Sequence, residues 1–86
     1  MQLIKSDGSI SEVKFKGKKP SLEEMQQAVG GYIEMIPTKD KRMMVINEEG
    51  KMKHLPRNNV ATSIVTLFPN DFIVGDVLVG DPSLLE

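Results

Sequence analysis

Residues 21–36 read SLEEMQQAVGGYIEMI, a short helix that hands the chain directly to a β-strand. Ser21 and Glu24 have the spacing of a capping box, in which each side chain satisfies a backbone N–H left without a partner at the helix start. Leu22, Met25 and Val29 recur at three- and four-residue spacing and predict one apolar stripe. Gly30 suits the C′ position, where a left-handed backbone costs glycine little. Gly31 then lets the chain turn sharply into Tyr32–Ile36, where Ile33 and Met35 point one way and Tyr32, Glu34 and Ile36 the other.

Upstream, Met1–Lys5 is β-prone, Ser6-Asp7-Gly8-Ser9 carries a tight-turn signal, and Val13–Lys16 alternates apolar and polar residues. The pattern predicts a β-hairpin. Downstream, Arg42–Asn47 (RMMVIN) has the near-continuous apolar character of an interior strand. Asn47-Glu48-Glu49-Gly50 reads as a turn, with Lys51–Leu55 returning as the second strand of another hairpin. Asn58 or Asn59 can cap a second helix with Val60, Ala61, Ile64, Val65 and Phe68 as its apolar positions; a β-branched strand is the rival for this stretch. Phe72–Val79 is β-prone and interrupted at Gly75-Asp76 by a bulge or turn. Ser83–Glu86 reads as a tail. The fold class expected is α+β: a small, twisted, mainly antiparallel sheet of about five strands with one or two helices packed on one face, forming a single domain over residues 1–86.

The chain has 86 residues, of which 40% are hydrophobic and 27% charged, with a formal net charge of −1. A domain of this length buries only about 60–65% of the surface its unfolded form exposes, so association with further copies would stabilise it. It has no cysteine, which excludes disulfides, thiolate metal sites and cysteine nucleophiles. One histidine cannot supply a pair of metal ligands, and four aromatic residues without tryptophan do not make a base-stacking platform. A near-neutral charge argues against general nucleic-acid binding. No apolar run approaches the ~18 residues of a membrane span, and Met1–Lys5 lacks the apolar core of a signal peptide, so a cytoplasmic location is expected and no membrane partner.

Charge is distributed in blocks. Residues 1–20 hold five lysines against two acids, and residues 21–36 hold three acids. Residues 37–57 hold six bases against three acids, and residues 58–86 hold four acids and no base. Blocks of this size are solvated faces, a local basic pocket, or a complementary interface between subunits.

Val29–Glu34 (VGGYIE), Val45–Lys51 (VINEEGK), Leu55–Thr62 (LPRNNVAT) and Ile73–Val79 (IVGDVLV) follow one another in an order and spacing that resemble a family of small uncharacterised domains carried by phages and conjugative elements. The resemblance spans about Ser21 to Val79. It implies a mobile-element origin, a small α+β fold and, by analogy of context, an action against host defence; some proteins of that setting are oligomeric sponges that hold a nucleotide messenger.

Two stretches could carry such chemistry. In Lys51–Thr62, Arg57 can fork onto a phosphate, Lys53 and protonated His54 can donate to one, and Asn58, Asn59 and Thr62 can read base or ribose edges. In Gly31–Glu34, Gly31 permits close backbone approach, Tyr32 can stack on a base and Glu34 can accept from a base amine or a ribose hydroxyl. No fixed phosphate motif is present. Asp71, Asp76 and Asp81 recur at five-residue spacing but sit beside turn residues, which explains them without a metal. No nucleophile, metal set or acid–base pair stands out, so neither an enzyme nor a cofactor is expected. The function expected is sequestration of a small anionic nucleotide of cyclic-dinucleotide type by a homo-oligomer, with the site between subunits. The alternative is a protein–protein inhibitor of a host nuclease or defence complex, whose acidic last segment imitates a nucleic-acid backbone.

Overall fold

The structure is a computed structural model that describes residues 1–67 and 69–85. Strands β1 (Gln2–Ile4), β2 (Ile10–Glu12), β3 (Ile33–Pro37), β4 (Met43–Asn47) and β5 (Val77–Gly80) form one five-stranded sheet in the order β2-β1-β5-β4-β3, all neighbours antiparallel. Helix α1 spans Leu22–Val29, helix α2 Asn59–Ser63, and a 3₁₀ turn closes the chain at Pro82–Leu85.

The fold class is the α+β one read from the sequence. Strand alternation divides the core in two. Val45 and Leu78 face α1, where Met25 and Val29 cover them. Met44, Val77 and Val79 face the other way, against Ile4, Ala61, Val65 and Ile73. α1 therefore lies on one face of the sheet, and α2 and its connections fill the opposite face. β5 is buried along its whole length and sits in the middle of the sheet, so both of its faces are covered.

The capping box is fully formed: Glu24 N–H donates to the Ser21 hydroxyl (3.1 Å) and Ser21 N–H donates to the Glu24 carboxylate (3.0 Å). That backbone bond holds the Glu24 carboxyl below its ordinary range. Its contribution to stability is present at neutral pH and is lost as pH falls through the lowered value. Gly30 takes the left-handed C-cap conformation at φ 86°. Leu22 departs from the predicted stripe and stays 54% exposed; Ala28, three residues beyond Met25, packs in instead. Ser21→Ala is expected to cost about 1 kcal/mol, a drop of roughly 4–8 °C in Tm for a domain of this size, measured by thermal circular dichroism.

Several element expectations change. β2 ends at Glu12, although Val13 N–H still donates to Met1 C=O (2.9 Å), and the side chains of Val13 and Phe15 pack under the α1 cluster. Lys51–Leu55 is not a strand. Both edges of β4 are already occupied, by β3 and β5, so no second hairpin can form on it. The segment instead coils on itself: Lys53 N–H donates to Glu49 C=O, Leu55 N–H donates to Gly50 C=O, and His54 is left-handed at φ 55°. The helix reading of the second apolar stretch holds for Asn59–Ser63 alone, capped by Asn58, with Ile64 as its C-cap. Phe68 lies outside the described residues. Gly75 is a bend at φ 78°, after an isolated antiparallel bridge between Arg57 and Val74. Ser83–Leu85 belongs to the closing 3₁₀ turn, whose Leu85 packs on the α1 cluster; Glu86 lies outside the described residues.

Candidate functional site

The coil that follows β4 is anchored by Asn47, which is 4% exposed. Its Nδ2 donates to the Val29 carbonyl (3.1 Å) at the end of α1, and its Oδ1 accepts from Glu49 N–H (2.8 Å). Gly31 lies against this amide: a Cβ there would come within 3.1 Å of Asn47 Nδ2 and 3.0 Å of Lys53 Nζ. Gly31 is thus explained by packing, and the close approach it permits is taken up within the chain.

Downstream, Gly75 N–H donates to Pro56 C=O (2.7 Å) and Asn58 N–H donates to Ile73 C=O (2.8 Å). These bonds flank the Arg57–Val74 bridge and fix where Arg57 projects. Its guanidinium lies 4.5 Å from the centroid of the Phe72 ring, and Lys51 Nζ lies 5.1 Å from the same centroid. Two cations thus share one aromatic ring, each such contact contributing about 0.5–1 kcal/mol at an exposed site. Lys51 also pairs with Asp71, and that ammonium, followed by the Phe72 N–H, holds the Asp71 carboxyl below its ordinary range. Among the described residues Arg57 has no acidic partner, and the His54 ring has no hydrogen bond.

Lys51, His54, Arg57 and Phe72 border one shallow cleft. It adjoins a second, of about 230 Å³, with which it shares Lys51, Phe72 and Val74. The second cleft has an apolar floor that includes Ile36, Ile46 and Ile73, with Glu34, Glu48 and Asp71 among its polar groups. The pair makes a bipolar surface, cationic and aromatic at one end, apolar with carboxylates at the other.

The residues predicted to bind ligand divide into four groups. His54 and Arg57 come together, as expected, and Glu34 lies at the adjoining cleft. Gly31, Tyr32 and Lys53 gather in a separate depression beside Gln26 of α1. Asn59 is exposed at the first position of α2. Asn58 and Thr62 are not available to a ligand. Asn58 is 0% exposed; its Oδ1 accepts from Ala61 N–H (3.0 Å) and its Nδ2 donates to the Ile4 (3.0 Å) and Gly75 (2.9 Å) carbonyls. The Thr62 hydroxyl donates to Asn58 C=O (2.7 Å) and accepts from Ile73 N–H (2.9 Å). Both polar groups are consumed in holding the loop that carries Arg57.

Sequence reasoning passed over Phe72, explained Asp71 by a turn, and grouped Lys51 with the basic stretch without placing it in the site. The signal that unites them is the Arg57–Val74 pairing, a contact across 17 positions that no local pattern announces.

Fold and site together define a small antiparallel α+β protein with a cationic, aromatic surface cleft and, among the described residues, no grouping of acidic or histidine side chains able to hold a metal ion. The chain belongs to the family whose model is described as Domain of unknown function (DUF3846), which matches residues 2–83. No curated protein and no solved structure matches the chain significantly. Among the described residues, no helix is long and apolar enough to cross a membrane.

Proposed function

We propose that this protein is a non-enzymatic binding protein that sequesters a small anionic nucleotide of cyclic-dinucleotide type, the role of an anti-defence protein of a phage or mobile element. The observation that carries the reading is the convergence of Arg57 and Lys51 on the Phe72 ring, with His54 on the same cleft. Arg57 is free to fork onto a phosphate, and His54 adds a donor when protonated. The apolar floor next to them offers a surface for a base, and the Glu34 and Glu48 carboxylates offer acceptors for its N–H groups.

The rival reading, an inhibitor whose acidic last segment imitates a nucleic-acid backbone, draws little support from the same surface. Asp71 is tied to Lys51 and to Phe72 N–H, Asp76 accepts from Ser6 N–H, and Asp81 accepts from Ser83 N–H. These carboxylates are used in turns and do not form a free anionic array.

The test is native mass spectrometry of the chain incubated with cyclic di-AMP, cyclic di-GMP and cyclic GMP-AMP. The expected result is added nucleotide mass at a fixed ratio, with the nucleotide released intact on denaturation. Arg57→Ala is expected to weaken that binding at least tenfold while leaving Tm within a few degrees. Undiminished binding by Arg57→Ala removes this site; no binding of any of the three by the wild-type chain removes the reading.

A further inference from the structure

We infer that β3 is the strand through which two copies of this chain pair, continuing one antiparallel sheet across a two-fold axis and joining their two apolar clefts. The inference rests on the nucleotide-binding reading only in its last step, the shared cleft.

β3 is an edge strand. Glu48 N–H donates to Tyr32 C=O (2.8 Å) and Thr38 N–H donates to Arg42 C=O (2.9 Å), and these two bonds fix the phase of the β3–β4 ladder. Tyr32, Glu34, Ile36 and Thr38 direct their backbone groups toward β4. Ile33, Met35 and Pro37 therefore direct theirs outward, where no described residue meets them. The N–H groups of Ile33 and Met35 and the carbonyls of Ile33, Met35 and Pro37 form an open template. Exposed apolar side chains gather at the same margin: Tyr32 is 65% exposed and Met35 38%. The other edge is less suited, since β2 has three residues and ends at Glu12, which pairs with the terminal amino group.

Two self-pairings are close at hand. Centred on Glu34, two carboxylates would lie directly opposite each other, an arrangement that is destabilising. Centred on Met35, the two Met35 residues exchange both backbone bonds, and each Ile33 N–H meets Pro37 C=O of the partner subunit. Proline lacks only a donor that this register leaves at the rim. Glu34 then faces Ile36 of the partner subunit, with no like charges opposed. Charge selects the Met35 register, and proline is compatible with it.

A two-fold axis of this kind keeps both copies' faces on the same side. Glu34 and Ile36 border the apolar cleft of each copy, so Ile36 and Glu34 of the partner subunit extend its floor.

The experiment is sedimentation velocity on the ligand-free chain across a wide concentration range, with Met35→Pro and Met35→Lys. Met35 N–H makes no bond to β4, so proline there removes both central intermolecular bonds and spares the β3–β4 ladder. Lysine keeps the N–H but sets two cations face to face. The expected result is a wild-type dimer of twice 9.6 kDa and monomeric variants with wild-type circular dichroism. A wild-type monomer throughout, or a dimer that survives in either folded variant, overturns the pairing; if Met35→Pro fails to fold, Met35→Lys decides. Titration with cyclic di-AMP is scored separately. A wild-type dimer that binds none of it upholds the pairing and counts against the nucleotide reading. A monomeric Met35→Lys chain that binds it as tightly as the wild type overturns the shared cleft.

Discussion

Asn58→Asp is expected to unfold the chain at neutral pH. The two side chains have nearly the same shape, so the effect is one of hydrogen-bond polarity. Asn58 Nδ2 donates to two buried carbonyls, those of Ile4 in β1 and Gly75 before β5, and its Oδ1 caps α2 at Ala61. One amide thus ties together β1, the central strand's lead-in and a helix. A carboxylate keeps the cap but loses both donors and turns negative charge toward two carbonyl oxygens. Each carbonyl left unpaired costs about 1–3 kcal/mol, and the buried charge adds several more. A chain of 86 residues has roughly 4–13 kcal/mol to lose. The measurement is far-ultraviolet circular dichroism with urea titration. Burial raises the substituted carboxyl's pKa, so the variant should regain part of the lost stability as pH falls toward that value. Asn59→Asp is the control: at the exposed first position of α2 a carboxylate faces the positive end of the helix, and the change should stay within about 0.5 kcal/mol. Equal effects at the two positions would contradict the roles assigned here.

That contrast shows where the sequence is legible and where it is not. Asn58-Asn59 is visible as a cap signal, but nothing local distinguishes the asparagine that bonds β1 and the lead-in to β5 from the one in water; the partners of Asn58 lie 54 and 17 positions away. Local devices were readable. Ser21, Glu24 and Gly30 satisfy backbone groups within a few residues of themselves, so their spacing alone carries the helix boundaries. Val77–Val79 was readable as a buried strand because a run of branched apolar residues leaves little alternative. Lys51–Leu55 was misread because strand pairing is competitive: its partner edge on β4 is taken by β5, more than twenty residues further on. The site follows the same rule. Arg57 and His54 stand close in sequence and were found together, whereas Phe72, the ring beneath the Arg57 guanidinium, is brought to it through the Arg57–Val74 bridge.

A chain carrying both Lys51→Glu and Arg57→Glu is expected to lose nucleotide binding by roughly 10²–10⁴-fold, since each charge-assisted phosphate contact contributes about 1.5–3 kcal/mol. The two positions are not equivalent. Lys51 is already paired with Asp71, so an incoming phosphate must compete with that carboxylate, and Lys51→Ala alone should weaken binding less than Arg57→Ala does. Arg57 has no acidic partner among the described residues, and its guanidinium is oriented by the Phe72 ring. Asp71→Asn follows from the same geometry with the opposite sign: it releases Lys51 from its ion pair, and affinity should rise several-fold. Isothermal titration with the nucleotide that the wild-type chain retains measures the whole series, and far-ultraviolet circular dichroism confirms that each variant is folded. The predicted order of affinity is Asp71→Asn, wild type, Lys51→Ala, Arg57→Ala, and last the double charge reversal. An Asp71→Asn chain that binds more weakly than wild type would place Asp71 among the ligand's own contacts instead of in competition with it, and the cleft's cationic end would then need a different account.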